Sequence, residues 1–208
     1  MLFIRRETFR EYLRVYPVTS LIVALCTAVM LIDYIFSLFY NQNLLFRFGL
    51  NRGFVFGGEY FRMVTYAFFH AGAGHLLSNM FFTIVFAPAI ERLIGRIKFV
   101  FLFFWSILAA ALLNLLLDSH TLVVGESGFG FSLFGFYLYI ILYKKHMIDP
   151  ASKSTILMFM ALGWFSTFIF PEVSMVSHIG GFAAGWLFAF ILGQNRNGFQ
   201  MMQRSNRM

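Results

Sequence analysis

Charge is what this sequence has least of. Only 12% of its 208 residues are Asp, Glu, Lys or Arg, where a soluble domain carries roughly 25%. That is too little charge for a water-facing surface, and an ordinary soluble domain is excluded. Cysteine is reduced to Cys26, which lies inside an apolar run. One thiol forms no intrachain disulfide and no thiolate metal site. The histidines lack the acidic partner motif of a zinc protease, so neither metal nor cofactor is expected. An internal repeat is missing, and so is a small-residue cleavage site after the first apolar run. That run is too long for a cleaved leader and reads as a retained span.

Apolar side chains are abundant instead: 60% of residues are hydrophobic and 20% aromatic, 30 of them Phe. So much apolar surface needs lipid to face, which makes the chain a polytopic membrane protein with the bilayer as its first partner. Six apolar segments are legible, at about 18–40, 63 or 75 to 90, 97–117, 127–143, 154–170 and 176–192. Spans of about 20 residues use more than half the chain and leave no room for a second soluble domain. The fold expected is all-α: a six-helix membrane domain over 18–193, an N-terminal segment 1–17 and a basic tail 194–208.

The net charge is +7. On a soluble protein this would suggest nucleic acid; here the cations cluster between spans. Arg5, Arg6, Arg10 and Arg14 precede the first span. Arg92, Arg96 and Lys98 join the second and third, Lys144, Lys145 and Lys153 the fourth and fifth, and Arg196, Arg204 and Arg207 follow the sixth. Only Arg47, Arg52 and Arg62 fall on the other side, in the long loop 41–61 and at its end. The positive-inside rule then puts both termini in the cytoplasm, and loops 41–61, 118–126 and 170–175 outside.

Polar groups inside apolar spans are costly and each needs a reason. His70-Ala-Gly-Ala-Gly-His75-Leu-Leu-Ser-Asn79 sits where the outer loop enters span two. His75 and Asn79 are four apart and share a helix face. Such groups commonly hydrogen-bond across helices to hold a bundle, the role expected of His70, whereas His75 with Asn79 suggests function. Gly125-Glu126-Ser127-Gly128 opens span four. Small residues there permit close helix packing, but glycines on either side of Glu126-Ser127 also leave the Ser127 hydroxyl open. The elbow of soluble hydrolases is absent, because Phe129 stands where its last glycine belongs. His178-Ile-Gly-Gly181-Phe-Ala-Ala-Gly185 opens span six. Gly181 and Gly185 continue the His178 face, and span four offers Gly128, Ser132 and Gly135. If those faces meet, Ser127 and His178 come together at one depth. Spans two, four and six all run inward, so His75, Asn79, Ser127 and His178 share the outer leaflet. A proton-relaying transporter or sensor using His70, His75, His178 and Asp33 is the rival reading, without the inverted repeat such folds carry.

The order His-x4-His-x3-Asn, Gly-x-Ser-Gly and His-x2-Gly-x3-Gly resembles the rhomboid intramembrane proteases, over all six spans. The resemblance implies a serine endopeptidase, typically of the bacterial cell membrane, that cuts single-span membrane proteins near the outer face. Ser127 would be the nucleophile and His178 its general base. Asn79, His75 and the Ser127 N–H would form the oxyanion hole. Entry would be sideways between spans two and five, with a small residue before the cut. Phe131 stands where many rhomboids stack a Tyr on the histidine; it stacks without donating. Phe61-Arg62 replaces Trp-Arg, Ser177 replaces Ala, and Glu126 is unusually acidic for its position. A catalytically silent rhomboid-like protein that binds transmembrane helices is the alternative within the family.

Overall fold

Hydrocarbon offers no partner for a backbone N–H or C=O, so a span must satisfy its own, and a helix does so. The computed structural model describes residues 3, 6–117, 122–170, 173–194 and 199. Arg5, part of the 118–126 and 170–175 loops, and the basic tail with Arg196, Arg204 and Arg207 lie outside these. Among the described residues the chain is helical, and its sole extended pairing is an isolated antiparallel bridge between Leu50 and Val123. The helices are α1 (Phe9–Val15), α2 (Pro17–Tyr40), α3 (Leu44–Phe48), α4 (Arg52–Phe56), α5 (Arg62–Thr65), α6 (Ala73–Ile94), α7 (Arg96–Leu117), α8 (Ser127–Tyr143), α9 (Pro150–Ile169) and α10 (Met175–Gln194). Five of them, α2, α6, α7, α9 and α10, are long and apolar enough to cross a membrane, and α8 is a shorter apolar helix of 17 residues.

Each span matches an expected apolar segment, with instructive differences. The second begins at Ala73, not Met63, because the chain first makes the short helix α5 and a 3-10 turn over Tyr66–Phe68. The 41–61 loop is not irregular: α3 and α4 fold within it, each started by an Asn side chain that accepts a backbone N–H. Arg62 holds that loop together. Its guanidinium is buried, bonds Glu59 at 2.7 Å and donates to the carbonyls of Phe46 and Gly49, and lies over the Phe54 ring. Hydrogen bonds to a charged group contribute about 1.5–3 kcal/mol each, enough to fix a loop rich in Phe and Gly.

Two helix junctions follow from single residues. α2 starts at Pro17, which needs no partner for the N–H it lacks. The buried Glu91 carboxylate of α6 then accepts the N–H groups of Val18 and Thr19 and the Thr19 hydroxyl. In α6, Pro88 has no N–H to give the Ile84 carbonyl, and the Tyr12 hydroxyl donates to it at 3.3 Å.

The core is built around α8. Its buried residues include Phe129, Phe134 and Phe136, all at or below 2% exposure, and α10 packs along it almost backbone to backbone. A Cβ added at Gly181 would collide with the Gly128 carbonyl, one at Gly185 with the Ser132 carbonyl, and one at Gly135 with the Phe182 carbonyl. In register, Gly128 faces Gly181 and Ser132 faces Gly185, while Gly135 lies between Phe182 and Trp186. Both helices run the same way along this seam, so their first residues lie at the same end of the bundle. α2 is the reverse case, with only 11% of its span buried; its many exposed Leu, Ile and Phe side chains are the lipid-facing surface.

Candidate active site

Ser127 is the first residue of α8 and His178 lies in the first turn of α10. Packing through Gly128 and Gly181 brings these turns together, and His178 Nε2 stands 2.9 Å from Ser127 Oγ, an ordinary hydrogen-bond distance. His178 is buried and Ser127 half-buried, so the hydroxyl keeps an open side. Phe131, one turn on from Ser127, stacks its ring on the imidazole with centroids 3.8 Å apart and planes 15° from parallel. Trp164 of α9 backs Phe131 edge-on at 4.8 Å.

The first turn of α10 is itself held. The Ser174 hydroxyl accepts the Ser177 N–H, and Asn114 of α7 donates to Ser174 at 2.8 Å and to Ser177 at 3.4 Å. Ser177 thus serves the cap beneath His178. From below, Trp105 donates to the Ala184 carbonyl at 3.1 Å.

The turn before Ser127 is shaped by Gly125. Its φ of +105° is a region side chains rarely enter. Any Cβ there would also lie 2.7 Å from His75 Nε2 and 3.2 Å from Asn79 Nδ2. His75 and Asn79 of α6 therefore rest on the backbone two residues before Ser127. His75 Nδ1 accepts the Ala71 N–H at 3.4 Å, which leaves the ring proton on Nε2, the atom facing Gly125. Asn79 Nδ2 is buried without a hydrogen-bond partner among the described residues. A buried unpaired donor costs about 1–3 kcal/mol, so this pair is a candidate for donating to something not yet bound. The Gly125 N–H is tied to the Tyr66 carbonyl, and the Leu50–Val123 bridge secures the chain just before it.

His70 does not make the cross-helix hydrogen bond expected of it: neither ring nitrogen has a partner among the described residues. It packs edge-on against His75, centroids 5.1 Å apart, and so supports that ring sterically. Asp33 accepts the Leu44 N–H at the start of α3 at 2.7 Å, tying the end of α2 to the outer loop. Glu126 is buried, with one carboxyl oxygen 2.6 Å from the Thr83 hydroxyl, linking the turn before Ser127 to α6.

Sequence reasoning missed Thr167. Its hydroxyl lies 2.7 Å from His178 Nδ1, where a catalytic triad would have its acid. The available signal was a polar residue in the outer half of an apolar span, which is weak alone because hydroxyls are common in membrane helices. Thr83 and Asn114 were overlooked for the same reason.

Comparison with known proteins points to one family. The family model described as "Rhomboid domain" matches residues 57–195. A Bacillus subtilis (strain 168) protein named "Putative rhomboid protease YdcA" is 33% identical over 199 residues, covering 94% of this chain and 98% of that protein. "RHOMBOID-like protein 6, mitochondrial" of Arabidopsis thaliana is 30% identical over 157 residues, 72% of this chain and 50% of its own. "Inactive rhomboid-related protein 2" of Caenorhabditis elegans is 30% identical over 143 residues, 64% of this chain and 41% of its own. The chain thus spans half or less of the length of those two eukaryotic relatives.

Proposed function

This chain belongs to the rhomboid family, and we propose that within it the protein is an active serine endopeptidase of the bacterial cell membrane, cutting single-span membrane proteins near the outer face with a Ser127–His178 dyad. The observation that carries this reading is the 2.9 Å contact between Ser127 Oγ and His178 Nε2, on two helices whose glycine seam lets their backbones pack directly against each other.

Serine needs a base to take its proton, and imidazole titrates in the right range for the task. Ser127 Oγ attacks the scissile carbonyl carbon while its proton passes to His178 Nε2. The oxyanion accepts from Asn79 Nδ2, His75 Nε2–H and the Ser127 N–H. Collapse breaks the C–N bond as His178 returns the proton to the leaving amine. Water then hydrolyses the acyl-enzyme through the same two groups. Donors fixed before the reaction are worth most in a site closed to bulk water.

The helix α8 spans roughly 25 Å at 1.5 Å per residue, less than the roughly 30 Å hydrocarbon core. Ser127 can therefore sit beneath the outer surface, and the water that completes the reaction has to reach it there. A substrate helix hides its carbonyls in internal hydrogen bonds, so the segment cut must unwind easily, helped by Gly, Pro or small residues. Entry from the side, between α6 and α9, accords with both helices lining the Ser127 end.

The test is incubation of detergent-solubilised protein with a labelled single-span helix, together with a fluorophosphonate probe. Wild type should cleave and be labelled at Ser127, and Ser127→Ala should do neither. A wild type that binds the helix but neither cleaves nor labels would make it a silent helix-binding member; the nematode relative is named as inactive.

A further inference from the structure

Resting on the dyad reading, we infer that Thr167 is a positioning residue for His178: its hydroxyl holds the imidazole as the Nδ1–H tautomer, with Nε2 bare and facing Ser127. The buried Thr167 side chain on α9 touches two groups. Its Oγ1 lies 2.9 Å from the Gly163 carbonyl one turn back and 2.7 Å from His178 Nδ1. A carbonyl oxygen only accepts, and a hydroxyl has one proton. That proton therefore lies toward Gly163, and Thr167 Oγ1 must accept from Nδ1–H. His178 Nε2 is left with its lone pair toward Ser127 Oγ, 2.9 Å away, as a general base requires. The other tautomer would leave Thr167 Oγ1 and the Gly163 oxygen facing each other at 2.9 Å with no proton between them. It would also point Nε2–H at the serine, where it can take no proton.

Phe131 cannot do this. A ring stacked at 3.8 Å restrains the tilt of the imidazole, but it does not distinguish Nδ1 from the carbon that a ring flip would put in its place. Thr167 does, because only a nitrogen donates to it. Threonine suits the role: branching at Cβ stiffens χ1, and the bond to the carbonyl of the preceding turn, common for Thr in helices, sets where the oxygen points. Unlike the acid of a triad, the hydroxyl brings no charge. Its contribution is orientation and tautomer alone. The dyad is therefore aligned by three helices, α8, α9 and α10.

Purified full-length Thr167→Val, which keeps the shape and loses the oxygen, should cleave the labelled helix with kcat lowered about tenfold to a hundredfold, the scale expected of small misplacement at a reacting group. KM and Tm should stay near wild type. Thr167→Ser should restore most of the rate. If Thr167→Val does not fold, the wild type suffices: 15N-histidine NMR, with the His178 signals identified by their loss in His178→Ala, should show Nδ1 protonated and Nε2 bare. A protonated Nε2 in the wild type, or a folded Thr167→Val with unaltered kcat, overturns the inference. If the wild type neither cleaves nor takes the fluorophosphonate, the protease reading fails instead, and the tautomer measurement still decides the role of Thr167.

Discussion

A membrane interior makes each polar side chain expensive, and those around Ser127 divide by whether they are already satisfied. Ser127, His178 and Thr167 form a closed chain of hydrogen bonds. Groups that act as a unit are not additive. Ser127→Ala and His178→Ala should each abolish cleavage of a single-span helix, and the double variant should be no slower than either; a double variant that loses activity further would show the two acting separately. Asn79 is the opposite case, a buried donor whose Nδ2 has no partner among the described residues. Asn79→Ala should lower kcat about a hundredfold to a thousandfold with little change in KM, since its bond forms only when an oxyanion appears. A rise in KM at constant kcat would place Asn79 in substrate capture. These residues were legible in the sequence because they recur in spaced motifs beside glycines. Thr167 was not, because nothing in the order of residues says which face of α9 meets α10.

At the scale of helices, the α8–α10 seam decides whether the dyad exists. Lipid gives apolar helices little reason to prefer one another, so small faces that admit close backbone packing direct association. Because a Cβ at Gly181 meets the Gly128 carbonyl directly, Gly181→Val must part the helices. Misplacement on the order of 1 Å can cost about a hundredfold in rate. Gly181→Val should lower both activity and Tm far more than Ala183→Val, whose side chain faces outward on the same helix; equal effects would mean the seam tolerates separation. The small faces could be read from Gly128, Ser132, Gly135, Gly181 and Gly185, but not their register. Gly135 pairs with Phe182 and Trp186 because two twisted helices drift past each other, a matter of crossing geometry that residue spacing does not contain.

The whole molecule has a direction. With thirteen of its 16 cations in segments assigned to one side, both termini should be cytoplasmic. Cys26 is fully buried and gives no background, so single cysteines report on sidedness. In intact cells a membrane-impermeant maleimide should label Tyr60→Cys, in the outer loop, and spare Lys145→Cys until the membrane is opened; the reverse pattern would invert the topology. Catalysis should also survive a chelator such as EDTA, and activity lost to it and restored by zinc would point to another chemistry. The sequence by itself determined class, span number and expected orientation, because hydropathy and charge act on each segment through its surroundings, whatever the other segments do. It also marked Ser127 and His178, since glycine-flanked polar residues at span starts need a reason to be there. Only the tertiary structure decided that 41–61 folds as short helices around the buried Arg62, that His70 packs edge-on against His75, and that Thr167 reaches Nδ1. Each of these depends on a contact between residues distant in the chain or on the path of an irregular segment, and such contacts exist only once the helices have crossed at particular angles.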